Sequence, residues 1–279
     1  SSSTSLTEAR SRLDQVDFLR QLKEVESKLI HDLDLLRSYF RQAAVTKTII
    51  IAEPGVSTEI KNNLGGLVRN GKTVQNNFKK KKNLRQAYCT STAVSFVAAA
   101  MEVPDLRHAD SPALLVASKI LARGFLHNEI REKRGAYGAF ARYDRSEGNW
   151  CFGSYRDPHV VSTLEVFGQA KKFMLEATYT ETEIVEAIIA LSAEIDKPGT
   201  EVEQAKKAFS RQLTGLSDEA RARFKEGLLK VKKEDVARVS EQYLKDNWQD
   251  YSVAVISSRE KIEAANKKLG EDRLEVHNI

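Results

Sequence analysis

Residues Phe125–Tyr137 read FLHNEIREKRGAY, an apolar start, a charged stretch and a Gly-Ala-Tyr exit. The first part has the composition of a helix end, and Gly135 is the residue type that lets a chain leave a helix at positive φ. Tyr137–Tyr143, which follows, is rich in aromatic residues. A polar loop containing Gly148-Asn149 separates it from a second aromatic run, Trp150–Arg156. Two such runs around a glycine-bearing loop predict a β-hairpin. The stretch is therefore a junction at which a helix delivers the chain into a hairpin.

Working upstream, Leu114, Ala117, Leu121 and Phe125 make one apolar helical stripe, with Pro112 suited to the first turn and Asp110 or Ser111 to the cap. Thr92–Ala98 sets Val94 and Phe96 against small residues, as a half-buried strand does. Downstream of Asp157-Pro158, Val160, Leu164 and Phe167 mark one helix. Ile184, Ile188, Leu191 and Ile195 mark another, opened by a Thr180–Glu183 capping box. Glu234–Lys245 carries Val236, Val239 and Tyr243 at helical spacing, and Tyr251–Ser257 (YSVAVIS) is a strand. This order predicts an α+β fold, an antiparallel sheet with helices packed on one face.

Before this region, Leu6–Arg41 has a helical stripe of Leu22, Val25, Leu29, Leu33 and Leu36. Thr46–Ala52 (TKTIIIA) follows as a β-branched run closed by Glu53-Pro54-Gly55. The same helix-then-strand ending recurs near residues 234–257, which suggests a repeat. The expected division is 1–56 as the tail of a preceding homologous domain, 57–86 as a linker and 87–279 as one domain. Residues 29–53 are then expected to follow the path of 234–257.

The chain has 279 residues, 41% hydrophobic and 30% charged. Ser95, Ser118, Lys119 and Arg123 interrupt the apolar stretches Ala93–Met101 and Leu114–Leu126, so neither reaches the roughly 20 apolar residues that span a bilayer, and no membrane partner is expected. Ser1–Thr7 lacks the pattern of a signal peptide and reads as a disordered end or a boundary. Cys89 and Cys151 form no C-x-x-C pair and fit reduced thiols. The net charge of +5 centres attention on Lys79–Lys82 and Arg85, with only Phe78 and Tyr88 nearby. That run reads as a solvated linker rather than a nucleic-acid site.

Neither H-x-x-E-H nor H-E-x-x-H occurs among His31, His108, His127, His159 and His277. Glu129 follows His127 one residue too closely for those motifs, and His127 reads as a helix-end residue. No metal ligand is expected in this chain. A Gly-x-Ser-x-Gly elbow and a glycine-rich phosphate loop are also lacking; Gly135, Gly138, Gly148 and Gly153 read as turn and strand glycines.

The stretch beginning at Phe125 resembles the segment F-L-H-x-E-I-R-E-K-G-G-A-Y-G of presequence proteases, a branch of the pitrilysin/insulinase metallopeptidases. His108-Ala109-Asp110-Ser111 before it and Ser154-Tyr155-Arg156-Asp157-Pro158 after it agree, and the match is strong over about 88–173. The resemblance implies the second, zinc-free half of a zinc metalloendopeptidase that degrades unfolded peptides such as cleaved targeting presequences in the mitochondrial matrix or another organelle. Zinc would lie in an N-terminal catalytic half, and this half alone would be inactive. Arg131 and Tyr137 would reach the substrate backbone, as catalytic and substrate-binding residues. Arg134 departs from the family, standing where a glycine is common.

A guanidinium and a phenol suit that role, because peptide hydrolysis develops negative charge on the scissile carbonyl oxygen and both groups donate hydrogen bonds. The alternative is that Arg131 pairs with Glu129 or Glu132 and that Tyr137 is hairpin packing. Tyr143, Trp150, Phe152 and Tyr155 read as packing and are left outside the site. Two other functions remain open at this stage: a non-catalytic scaffold of the same fold, and a basic nucleic-acid-binding module.

Overall fold

The computed structural model describes residues 26–43, 47–64, 83–176 and 178–278. In chain order the elements begin with α1 (Glu26–Ala43), α2 (Pro54–Asn63), β1 (Arg85–Cys89), β2 (Ser95–Glu102) and α3 (Ser111–Leu121). A π-helix (Ala122–Glu132), β3 (Gly138–Asp144), β4 (Asn149–Asp157), α4 (Val161–Glu176), α5 (Glu181–Asp196) and α6 (Glu201–Thr214) follow. The chain continues through α7 (Asp218–Leu229), α8 (Lys233–Tyr243), β5 (Ser252–Ser257), α9 (Arg259–Leu269) and β6 (Glu275–Asn278). Two compact units result, 1–80 with 198–217, and 81–197 with 218–279.

In the first unit, no residue of α2 or α6 is buried. Lys47–Ala52 carries no strand, and α2 begins at Pro54, where the chain was expected to break. Proline fits that first helical turn because the missing N–H has no intrahelical partner there. The β-branched run therefore has strand propensity without strand pairing. The helix-to-strand ending is present at α8 and β5, whereas among the described residues no strand follows α1 before α2. Thr46, the leucine at 22, Val25 and the segment 65–82, with its glycines and lysine run, lie outside the described residues.

The second unit is built on a six-stranded sheet in the order β3-β4-β2-β5-β1-β6. Pairing is antiparallel across β3/β4, β4/β2 and β2/β5, and parallel across β5/β1 and β1/β6. The sheet is thus mixed rather than wholly antiparallel. β1 was missed, and its first two residues had been placed in the linker. Its RQAYC sequence has no β-branched residue, so pairing with β5 and β6 makes it a strand. It runs parallel to β5 because the chain between them passes through β2–β4 and the helices before returning.

Side-chain alternation divides the sheet. Val97 and Ala99 of β2, Trp150 and Phe152 of β4, and Val253 and Val255 of β5 are buried with the apolar faces of α3, α4, α5 and α8. Phe152 stacks on Phe167 of α4 at 5.3 Å and meets the Tyr251 ring at 5.7 Å. Burying each large aromatic stabilises the unit by roughly 2–3 kcal/mol. The alternate residues Phe96, Phe140, Tyr155 and Ile256 belong to the second face, which stays open among the described residues. There the Phe140 ring covers Gly153 so closely that a Cβ at that glycine would lie 2.2 Å from it.

Both halves of the Thr180–Glu183 capping box form, as its spacing required. Asp110 behaves differently, since its side chain does not cap α3. It turns to α8, accepting from Arg238 Nη2 at 2.7 Å and from the Tyr243 hydroxyl at 2.8 Å. Burial works against its ionisation, but those two hydrogen bonds outweigh it and hold the carboxyl below the usual range. Ser111 Oγ instead lies 2.8 Å from the buried Tyr143 hydroxyl, which also reaches the Pro104 carbonyl at 2.7 Å.

Candidate functional site

The helix of α3 continues through Leu121 into the π-helix, and the wider turn changes which residues face the core. Leu114, Ala117 and Leu121 are buried as the stripe predicts, but Leu126 and Ile130 then take the buried positions. Phe125 is only partly buried and stacks on Phe173 at 4.8 Å. A 3.6-residue period cannot show this slip, because the π pattern adds a residue to each hydrogen-bonded loop.

The π-helix is closed by two backbone bonds. Gly135 N–H donates to the Arg131 carbonyl at 3.0 Å, and Ala136 N–H donates to the Ile130 carbonyl at 3.2 Å. Gly135 has φ of 74°, the left-handed region that glycine tolerates at no steric cost. Arg134 is outside that region, so an arginine there does not strain the turn. Its Nη1 reaches the Glu129 carbonyl at 2.5 Å and Glu129 Oε2 at 3.0 Å. Lys133 Nζ holds the other oxygen of Glu129 at 2.5 Å. The Lys133 hydrogen bond, with that of Arg134, keeps the Glu129 carboxyl below its usual range despite some burial.

Glu129 is therefore engaged and does not pair with Arg131. The carboxylate near Arg131 is Glu132, 3.9 Å from Nε, with the two side chains 53% and 60% exposed. His127 Nε2 shares the same Glu132 oxygen at 3.6 Å. An ion pair that open contributes little and leaves the guanidinium free to turn elsewhere. Among the described residues no group of three or more His, Cys, Asp or Glu side chains converges on a metal position.

Tyr137 stands beyond the turn, immediately before β3, and is 68% exposed. Its N–H donates to the Arg156 carbonyl at 3.4 Å. Its ring meets Tyr155 edge-on at 5.7 Å, and the Arg156 guanidinium lies 5.9 Å from the ring centroid. Arg131 and Tyr137 thus flank one turn, both open to solvent. Among the described residues no hydrogen bond joins them. A groove of about 560 Å³ beside α3, α5 and β3, lined by Ser118, Lys119, Arg142, Arg145 and Glu194, contains neither.

Tyr143, Trp150 and Phe152 are buried, as packing residues should be. Tyr155 is not, and sits on the open face between Phe96 at 5.3 Å and Tyr137. Aromatic composition could not separate these four; only strand parity does. Tyr155 and Arg156 are both exposed on β4, where the register with β2 slips by one residue between Ser95 and Val97, and no sequence signal marks that slip.

The family model described as the PreP C-terminal domain matches residues 85–259. The mitochondrial presequence protease of Kluyveromyces lactis is 37% identical over 150 residues, covering 53% of this chain and 15% of that protein. That of Schizosaccharomyces pombe is 29% identical over 269 residues, covering 92% of this chain and 27% of that protein. The chain therefore spans about a quarter or less of the length of these relatives. A protease from Helicobacter pylori shares the fold with a TM-score of 0.58 at 18% identity, over 74% of this chain and 53% of that one. A peptidase M16 inactive domain from Pseudomonas fluorescens shares it with a TM-score of 0.57 at 15% identity, over 75% and 51%.

Proposed function

Since the chain belongs to the family of presequence-protease C-terminal domains, we propose that it is the substrate-contacting, metal-free part of a zinc metalloendopeptidase. The zinc belongs to an N-terminal catalytic half, and the substrates are unfolded peptides such as cleaved presequences in the mitochondrial matrix. This part alone is inactive. A domain beginning near residue 87 is supported by the family match that starts at residue 85, and residues 1–56 would then be the tail of a preceding domain, with 57–86 as the linker.

One observation carries the reading of the site. Arg131 and Tyr137 flank a glycine turn with their donors exposed, while Glu129 is held by Lys133 and Arg134 and Glu132, 3.9 Å from Arg131, is too open to hold the guanidinium. In the closed enzyme the phenol donates to the carbonyl oxygen on which charge develops, and the guanidinium holds that oxygen or a neighbouring peptide carbonyl. Nothing in this chain needs to act as nucleophile or general base.

The test is steady-state kinetics of the complete enzyme on a short quenched peptide. Tyr137→Phe is expected to lower kcat about 10²- to 10³-fold with a smaller change in KM, as loss of a transition-state donor does. Arg131→Ala is expected to raise KM as well. A Tyr137→Phe enzyme that folds normally and keeps near-wild-type kcat would reduce the motif to hairpin packing and leave a non-catalytic scaffold as the better reading.

A further inference from the structure

We propose that Arg156, together with Tyr155, is a seat that orients the Tyr137 phenol, so that both are positioning residues acting through Tyr137. The inference rests on the reading of Tyr137 given above. A side chain 68% exposed is not held in place by burial, and what holds it is on β4. The Arg156 carbonyl takes the Tyr137 N–H, the Arg156 guanidinium lies over the ring, and Tyr155 presents its ring edge-on.

In a regular strand neighbouring side chains leave on opposite faces, so Tyr155 and Arg156 could not both reach one ring. A bulge removes the obstacle. Ser95 of β2 opposes Asp157, but Val97 opposes Ser154, so β4 carries one residue more than β2 over this span. Arg156 has φ of 50°, which favours glycine over any side chain. Both Tyr155 and Arg156 are exposed, and the residues on either side, Ser154 and Asp157, are buried.

The bend is pinned from the far side. Asp157 Oδ1 accepts the His159 N–H at 2.9 Å, and Oδ2 accepts the Thr163 hydroxyl at 2.7 Å, tying the end of β4 to the start of α4. The backbone at 156 would be satisfied by glycine, whereas the cation over Tyr137 requires a long basic side chain. A seat fixed to a strand and a helix start holds a donor more rigidly than a turn could alone.

Arg156→Gly separates the two roles, because it relaxes the backbone while removing the guanidinium. In this chain with ¹³C-labelled tyrosine rings, the Tyr137 signals, identified by their loss in Tyr137→Phe, should shift in Arg156→Gly and Tyr155→Leu. They should stay near their original positions in Arg156→Lys, and the Tm of Arg156→Gly should not fall. In the complete enzyme, Arg156→Gly should lower kcat about two- to fivefold, the size of an exposed cation–π contact, at nearly unchanged KM. That loss should vanish in a Tyr137→Phe background. Tyr137 signals unmoved by Arg156→Gly would overturn the proposal, as would an equal kcat loss in the Tyr137→Phe background. Should Tyr137→Phe alone leave kcat unchanged while the ring signals still move, the catalytic reading fails and the seat stands.

Discussion

Replacing Asp110 by alanine should destabilise the second unit in a way that depends on pH. The carboxylate joins the start of α3 to α8 through Arg238 at 2.7 Å and Tyr243 at 2.8 Å. His108 is also near, its Nδ1 accepting the Asp110 N–H at 3.1 Å. Arg238 is 49% exposed and recovers water when the carboxylate is removed, so that bond is worth about 1 kcal/mol after screening. The tyrosine bond to a charged acceptor adds about 1–2 kcal/mol, for a total of about 2–3 kcal/mol. In a unit of this size each kcal/mol moves Tm by about 2–4 °C, giving a fall of about 4–12 °C. Because folding depresses the Asp110 pKa, its contribution is full above the unfolded value near 3.9 and fades as pH falls through the folded one. Tyr243 bounds the other side. Burial, aided by the Asp110 bond, pushes its phenol up to about 12, so its contribution is full below about 10 and is lost as pH rises toward 12. Calorimetric Tm measurements on both proteins should show the largest gap between these limits and a smaller one at pH 3. A gap below about 2 °C at neutral pH, or one unchanged at pH 3, would refute the account.

Gly148→Ala should cost about 2–3 kcal/mol in urea unfolding, because φ is 68° and the new Cβ would meet the Val103 carbonyl oxygen at 2.5 Å. Arg134→Gly should leave the turn intact, since Gly135 carries the positive φ, while losing about 1 kcal/mol with the Glu129 contacts; thermal unfolding reads the difference. Cys151 should react slowly with a thiol reagent at pH 7.5 until the chain is unfolded, because burial pushes its thiol pKa up.

Local pattern revealed what local interactions decide. The hairpin, the capping box at Thr180 and the core faces of α4, α5 and α8 were all legible, because each depends on residues a few positions apart. β1 was not, nor was its parallel pairing, because RQAYC becomes a strand only beside β5 and β6. Thr46–Ala52 shows the reverse case, where strand composition finds no partner from Lys47 to Ala52. Arg131 and Tyr137 were singled out by motif, whereas spacing alone left Glu129 or Glu132 as a partner for the arginine. Lys133 and Arg134 settle that question by occupying the acid. Tyr155 and Arg156 escaped notice as a pair because their common direction depends on a bulge set by register with β2.

The π-helix has a consequence for how length changes are absorbed. Leu121 is fixed in phase by the buried face of α3, and Tyr137 by its bond to β4, so any slack between them must be taken up in Ala122–Glu132. A straight α-helix advances about 100° per residue, and losing one residue from it would swing everything downstream round the axis. A π segment has a residue to spare in each turn and can surrender one by returning to α geometry. Single-residue deletions should therefore be better tolerated between Ala122 and Asn128 than in α3, with the penalty falling on the bearing of Arg131 rather than on the integrity of the core.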